Sequence, residues 1–207
     1  MAKKKYYVVW NGRKNGVFET WTECSESIHG FKDAKFKSKE LANKAYLENY
    51  EDFKGKTFFI SELSEEELKL IGKPILRSIS VDAACNGKTG LMEYQSVETE
   101  TKEVLFKKGP YKGATNNIGE FLALVHAAAL MKSNNDKRPI YSDNKTAIGW
   151  VKYKNCNTYA DQTAENMEVF NLIKRAEIWL KKNEIENHIL KWETNAWGEI
   201  PADYGRK

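Results

Sequence analysis

Asp82 in ISVDAACNG, Glu120 in TNNIGEFLALV, Asp143 in IYSDNKTA and Asp203 in PADYG are four acids from which a hydrolytic metal site can be built. Each also has an ordinary explanation. Asp82 follows a short alternating apolar run, where Asp commonly begins a turn by bonding its own backbone. Asp143 stands at the entrance to a helix, the place of an N-cap. Glu120, in the first turn of a buried helix, and Asp203, at a helix start, gain from the helix dipole. Two acids at strand ends and two at helix starts can nevertheless converge on one edge of a sheet. Their mutual repulsion is then tolerable only with bound cations. Oxygen ligands with open positions suit two Mg²⁺ ions, with Mn²⁺ as a substitute. A pair of ions activates water on one side and stabilises a leaving oxygen on the other. No cluster competes with this one: His29, His126 and His188 are dispersed, and His126, on an apolar helix, reads as a core residue. Cys24, Cys85 and Cys156 are odd in number, far apart and form no CxxC pair, so neither a disulfide framework nor a zinc site is suggested, and a reducing cytoplasm fits best.

The elements that must hold these acids begin at Pro74. ILRSISVDAAC, GLMEYQSVE and KEVLFKKGPY read as three strands, and IGEFLALVHAAALMK as a helix apolar enough to be buried. RPIYSDN is a short strand, NKTAIGWVKYK a helix, AENMEVFNLIKRAEIWLKK a long amphipathic helix and NHILKWET a last strand. Pro201, at a first helical position, is expected to begin a final helical turn. The order βββαβααβα is that of an α/β protein. Upstream, KYYVVW (residues 5–10) and GVFETW (16–21) predict a hairpin across NGRKNG, and Phe36 falls in a short third strand. Ser38 is expected to cap a helix with Leu41, Ala42, Ala45 and Tyr46 at helical spacing. Three parts follow: a ββ-β-α domain over 1–50, a linker over 51–73 and a larger domain over 74–207. Within the linker, Ser64 and Glu67 offer a capping box for a short helix through Leu70.

The 207 residues are 41% hydrophobic and 12% aromatic, the composition of a globular protein rather than a disordered one. The net charge of +4 comes entirely from residues 1–40, which hold nine Lys/Arg against five Asp/Glu. Alone, so small an excess is weak evidence of a polyanionic partner. The opening MAKKKYYVVW has an apolar run too short for a signal peptide or a membrane span, so mature protein and no membrane partner are expected.

As a set and in this order, VDAACNG, TNNIGEFLAL, IYSDNKTAIGWV and PADYG resemble type 1 ribonuclease H, from about residue 74 to the end. YYVVWNGRKNGVFETWTEC, followed by AKFK, is similar to the hybrid-binding or viroplasmin-like domain that precedes many of these enzymes. The resemblance implies a ribonuclease H-like fold with a mixed five-stranded sheet and flanking helices behind a small hybrid-binding domain. It implies a monomer that hydrolyses the RNA strand of RNA/DNA hybrids, leaving 3′-hydroxyl and 5′-phosphate ends. Asp82 would bridge both Mg²⁺ ions, Asp203 would join it on the nucleophile side, and Glu120 and Asp143 would hold the leaving-group side. Glu199 matches an acid that assists metal exchange or product release. Cys85 and Gly87 by backbone, with Asn116 and Asn117 by side chain, occupy minor-groove positions. Thr115, Asn117 and Thr158 resemble a DNA phosphate pocket, and Trp150 an aromatic packed on DNA sugars, although a core role suits Trp150 equally. In the hybrid-binding domain Tyr7, Trp21, Phe36 and Lys37 match DNA-contacting residues, and for Tyr7 a core strand aromatic is the alternative. The sequence departs from the family where Lys145 replaces a Gln that reads RNA, where Ser38 replaces a lysine with Lys39 as a stand-in, and where YKNCNTYAD is too short for a lysine-rich protrusion. Integrase-like or resolvase-like nucleases and a non-catalytic hybrid-binding protein are the rival readings.

Overall fold

The computed structural model describes residues 6–10, 13–28, 34–36, 43, 46, 47, 59, 61–87 and 89–205. The chain divides into two compact units, residues 1–60 and 61–207, which are taken separately.

In the first unit, β1 (Tyr6–Val9) lies between β2 (Gly16–Phe18) and β3 (Ala34–Phe36), antiparallel to both, with Tyr7 opposite Phe18 and Tyr6 opposite Phe36. The second strand stops short of the expected Trp21, because α1 (Trp21–Ile28) begins there. Thr20 starts this helix: its Oγ1 accepts from the Glu23 N–H at 3.3 Å and donates to Glu23 Oε2 at 2.9 Å. These bonds satisfy an otherwise orphaned helical donor. Tyr7 and Val9 pack with Cys24 of the helix and with Phe18, so Tyr7 is a core residue. Most of the helix expected after Ser38, including Ser38, Leu41, Ala42 and Ala45, lies outside the described residues; Asn43, Tyr46 and Leu47 are helical.

The second unit opens with α2 (Glu65–Ile71), capped as expected: Ser64 Oγ accepts from the Glu67 N–H and the Glu67 carboxylate accepts from the Ser64 N–H. Residues 61–73 are tied to this unit, with Ser61 Oγ donating to Asn195 O at 2.6 Å and Trp197 Nε1 donating to Gly72 O at 2.9 Å. The sheet contains β4 (Ile79–Cys85), β5 (Met92–Glu98), β6 (Val104–Tyr111), β7 (Ile140–Ser142) and β8 (Ile189–Lys191) in the order β6-β5-β4-β7-β8. β4, β5 and β6 form an antiparallel meander, while β7 and β8 run parallel to β4. This is the mixed five-stranded sheet with flanking helices that the resemblance implies.

α3 (Asn116–Ser133) covers one face, burying Ile118, Phe121, Leu122 and Val125 against Ile79, Val81, Ala83, Met92 and Tyr94. α4 (Lys145–Tyr153) and α5 (Met167–Lys182) pack into the same core, α5 through Val169, Ile173, Ala176 and Leu180. α3 approaches the sheet at Gly119, where a Cβ would stand 2.7 Å from Ala83 Cβ and 2.8 Å from Met92 Sδ. That approach matters because the next residue is Glu120.

Three local expectations are corrected. Asp82 does not end its strand: β4 continues to Cys85, with Asp82 opposite Gln95. Glu120 is in the second turn of α3, because Thr115 caps the helix ahead of Asn116. No helix begins at Pro201; the last one is α6 (Thr194–Trp197). Pro201 and Ala202 form a turn closed by the Asp203 N–H on Ile200 O at 2.8 Å, and Asp203 Oδ2 accepts from the Gly205 N–H at 2.9 Å. Gly205 has φ +63°, which ends any helical continuation. No helix among the described residues is long and apolar enough to cross a membrane.

Candidate functional site

Pairing between β4 and β7 is limited to Ile79 with Ile140 and Ser80 with Tyr141. Beyond these residues the strands are no longer paired, so on the β7 side Asp82, and Asp143 just past β7, line a cleft. Such crevices between parting strands are the usual ligand positions of open α/β sheets. The cleft, about 310 Å³, is lined by Asp82, Cys85, Asn86, Asn116, Glu120, Asp143, Asp203 and Tyr204 together with Ala83 and Ala84. One carboxylate oxygen each from Asp82, Glu120 and Asp143 lies within 4.8 Å of the others.

Two of these acids are out of water: Asp82 is 7% and Glu120 1% exposed. Glu120 Oε1 accepts from the Ala83 N–H and Oε2 from Ser142 Oγ, both at 3.3 Å, which fixes its carboxylate between β4 and β7. Burial pushes Asp82 up to about 6; the charges of Asp143 and Asp203 add to the rise, and hydrogen bonds with Glu120 and Ala83 oppose it. Burial, and then the neighbouring Asp82, hold Glu120 well above the ordinary carboxylate range. Protein alone therefore disfavours full ionisation of the cluster. A divalent cation would reverse that preference, and the all-oxygen donor set fits a hard ion such as Mg²⁺ or Mn²⁺. Asp143 is not the helix cap; Asn144 is, with its Oδ1 accepting from the Ala147 N–H at 2.9 Å. Asp203 lines the same cleft, and Glu199 is exposed on the segment leading to it and does not line the cleft.

The other expected residues are distributed as follows. Cys85 is half-buried with its thiol donating to Ala114 O at 3.2 Å, and Gly87 is exposed in the following turn. Thr115, Asn116 and Asn117 are exposed at the start of α3, where Thr115 Oγ1 accepts from the Ile118 N–H. Asn144 Nδ2 donates to Asn117 Oδ1 at 2.8 Å, so the capping residue of α4 also orients Asn117. Trp150 is half-buried edge-on to Phe121, with centroids 6.2 Å apart, and lines a separate hollow with Lys145, Thr146 and Tyr153. Thr158 is half-buried in the loop after α4, its Oγ1 accepting from the Ala160 N–H. His126 stacks on Phe106 at 4.0 Å, away from the acids. In the first unit, Trp21 is 45% exposed with its ring 5.4 Å from that of buried Tyr7. Phe36 lies on β3, and Lys37 falls outside the described residues.

Sequence reasoning missed Ser142, Asn144, Asn86 and Gln95. Ser142 and Asn144 flank Asp143, so adjacency was the signal available for both. It also missed the aromatic cluster that carries the chain towards Asp203. There Tyr141, Trp192 and Trp197 pack edge to face, and Trp192 Nε1 donates to Gly198 O at 2.8 Å.

Residues 5–46 match the family described as ribonuclease H1 N-terminal domain. A ribonuclease H of Crithidia fasciculata is 47% identical over 36 residues, which are 17% of this chain and 7% of that protein. The chain thus spans only a small part of that relative's length. Among solved structures, RNase H1 from the halophilic archaeon Halobacterium salinarum NRC-1 is 17% identical over 57% of this chain and 87% of its own, with a TM-score of 0.37. LC11-RNase H1 in complex with RNA/DNA hybrid is 20% identical over the same shares, with a TM-score of 0.33. Likenesses of this size leave the chemistry of the cleft to the chain's own residues. Residues 5–46 thus match a ribonuclease H1 N-terminal domain, and the chain that carries them is similar to ribonucleases H.

Proposed function

We propose that the chain is an endonuclease that hydrolyses the RNA strand of RNA/DNA hybrids. The observation that carries this reading is the convergence of Asp82, Glu120 and Asp143 to within 4.8 Å, in a cleft that Asp203 also lines. Asp82 and Asp203 would hold one divalent cation, and Asp82, Glu120 and Asp143 a second. When bound, such a pair supplies positive charge at the attacking water and at the departing oxygen. The water oxygen forms a bond to phosphorus as the P–O3′ bond breaks; the 3′ oxygen leaves and takes a proton, and the phosphate stays on the 5′ end. Ser142 and the Ala83 N–H keep the Glu120 carboxylate aimed into the cleft throughout.

Selection of RNA would fall to groups at the rim of the cleft. RNA is told from DNA by its 2′-hydroxyls across a wide minor groove. Asn116 lines the cleft, and Asn117 beside it has its carbonyl oxygen engaged by Asn144, which leaves its amide N–H groups to donate. The first unit would anchor the hybrid through exposed Trp21 and the lysines of residues 1–40. The test is incubation of a labelled RNA/DNA hybrid, duplex DNA and duplex RNA with the chain, with and without Mg²⁺ or Mn²⁺. Cation-dependent cutting of RNA in the hybrid alone, with 3′-hydroxyl and 5′-phosphate ends, is expected. Efficient cutting of duplex DNA would instead point to an integrase-like or resolvase-like nuclease, and hybrid binding without turnover to a binding protein.

A further inference from the structure

Asp203 is held differently from the other acids. Asp82 sits inside a strand, Glu120 inside a helix and Asp143 between a strand and a helix, whereas Asp203 follows a turn and has no element of its own. Its own bonds, to Ile200 and Gly205, shape the turn but tie it to no strand or helix of the sheet. The sheet register supplies the answer: Asp82 on β4 stands opposite Gln95 on β5, and Gln95 stands opposite Lys107 on β6. Directly opposed residues share a face, with Cβ atoms about 4.5–5.5 Å apart, so the three form a single row across the strands. Two contacts run from this row to the C-terminal segment. Gln95 Nε2 donates to Ala202 O at 2.7 Å, and Lys107 Nζ lies 5.1 Å from the centroid of the Tyr204 ring while pairing with Glu93 at 3.6 Å. They grip the residues immediately before and after Asp203.

We propose that Gln95 and Lys107 are positioning residues that set Asp203 against Asp82 and thereby set the affinity of the cleft for a divalent cation. The inference rests on the metal-dependent reading of the cleft and deepens it. Neither side chain lines the cleft, so both act through the segment 202–204. Gln95 supplies a directed hydrogen bond, and Lys107 a cation over an aromatic face.

The test uses the full chain with Gln95→Met, which keeps length and volume but removes the donor, and Lys107→Met on the exposed outer strand, which spares folding. Mn²⁺ binding by calorimetry and amide exchange of residues 202–205 are measured alongside hybrid cleavage. Gln95→Met is expected to weaken Mn²⁺ binding roughly tenfold, the lower end of what groups supporting a metal ligand contribute, and Lys107→Met by less. Exchange at residues 202–205 should quicken in both. In cleavage assays the turnover at low cation should fall and recover as the cation is raised, with KM for the hybrid unchanged. Unaltered Mn²⁺ affinity, whether or not exchange quickens, would overturn the proposal, since the segment would then be held without tuning the site. A parent chain that binds Mn²⁺ but cleaves no hybrid would overturn the functional reading alone. One that binds no Mn²⁺ would overturn both.

Discussion

The carboxyl group of Asp82 is buried beside other acids, and its titration gives a test that needs no substrate. Its folded value of about 6 lies above the ordinary 3.8. Between those values the folded chain keeps a proton that the unfolded chain has released, so stability falls as pH rises through that window. The cation-free melting temperature should therefore decline from about pH 4 to about pH 6 from this group, and added Mg²⁺ should raise it more at pH 7.5 than at pH 4.5. Asp82→Asn should flatten both trends; unchanged slopes would mean that burial does not raise this acid. Asp143→Asn keeps shape but removes a negative charge from the cleft. Cleavage in Mg²⁺ should drop by more than the roughly 10–100-fold typical of groups that merely support a ligand, while hybrid affinity by filter binding stays near that of the parent. At this scale the sequence already named the three acids that converge, because each stands beside an apolar run whose element could be read. The supporting bonds of Ser142 and Asn144 were not legible: both reach residues of α3, more than twenty positions away in the chain, which no local pattern encodes.

Elements place those side chains, and the tightest tolerance is between α3 and the sheet. Gly119→Ala raises helix propensity by about 1 kcal/mol. The new methyl, however, would meet Ala83 Cβ, a stub fixed to the central strand, at 2.7 Å, whereas the Met92 thioether on its other side can swing away. Overpacking of this kind costs about 1–3 kcal/mol, so net destabilisation is expected in urea unfolding. Cleavage should fall further than stability, because Glu120 moves with the helix. Equal or higher stability with full turnover would show that the helix has room to shift. The strands and long helices were readable from periodicity, α5 most clearly through its apolar stripe at Val169, Ile173, Ala176 and Leu180. The short helix α1 was lost because Trp21, read with GVFET, has strand propensity. Thr20 and Glu23 nonetheless carry the spacing of a capping box, and that local signal outweighed the aromatic's preference. At the C-terminus the reverse occurred: Pro201 suggested a helix start, but the turn closed at Ile200, and Ala202 beside Asp203 was held by Gln95 of a distant strand.

For the whole molecule, charge and chemistry are assigned to different units. All four acids lie in residues 61–207, while the excess of basic residues lies in 1–40. Removing residues 1–60 should leave the cleft intact, so cleavage at saturating hybrid should persist while affinity falls. The salt dependence separates a phosphate-binding first unit from one that only adds mass. Each lost phosphate contact should flatten the log–log slope of affinity against salt by about 0.7–0.9. Within the intact chain, Trp21→Ala tests the aromatic part of the same interface, since Trp21 is 45% exposed while its neighbour Tyr7 is buried in the core. A stacking ring contributes about 1–3 kcal/mol, so hybrid affinity should weaken roughly 5-fold to 150-fold with no change in salt slope, because no charge is removed. Tyr7→Ala should instead lower the stability of the first unit, by about 3–5 kcal/mol if it behaves like other buried aromatics cut to Ala. Affinity and slope measured across a salt series for the parent, the truncated chain and Trp21→Ala distinguish the two contributions. If truncation leaves both quantities unchanged, the first unit is not the hybrid anchor, and the second unit must bind its substrate without it.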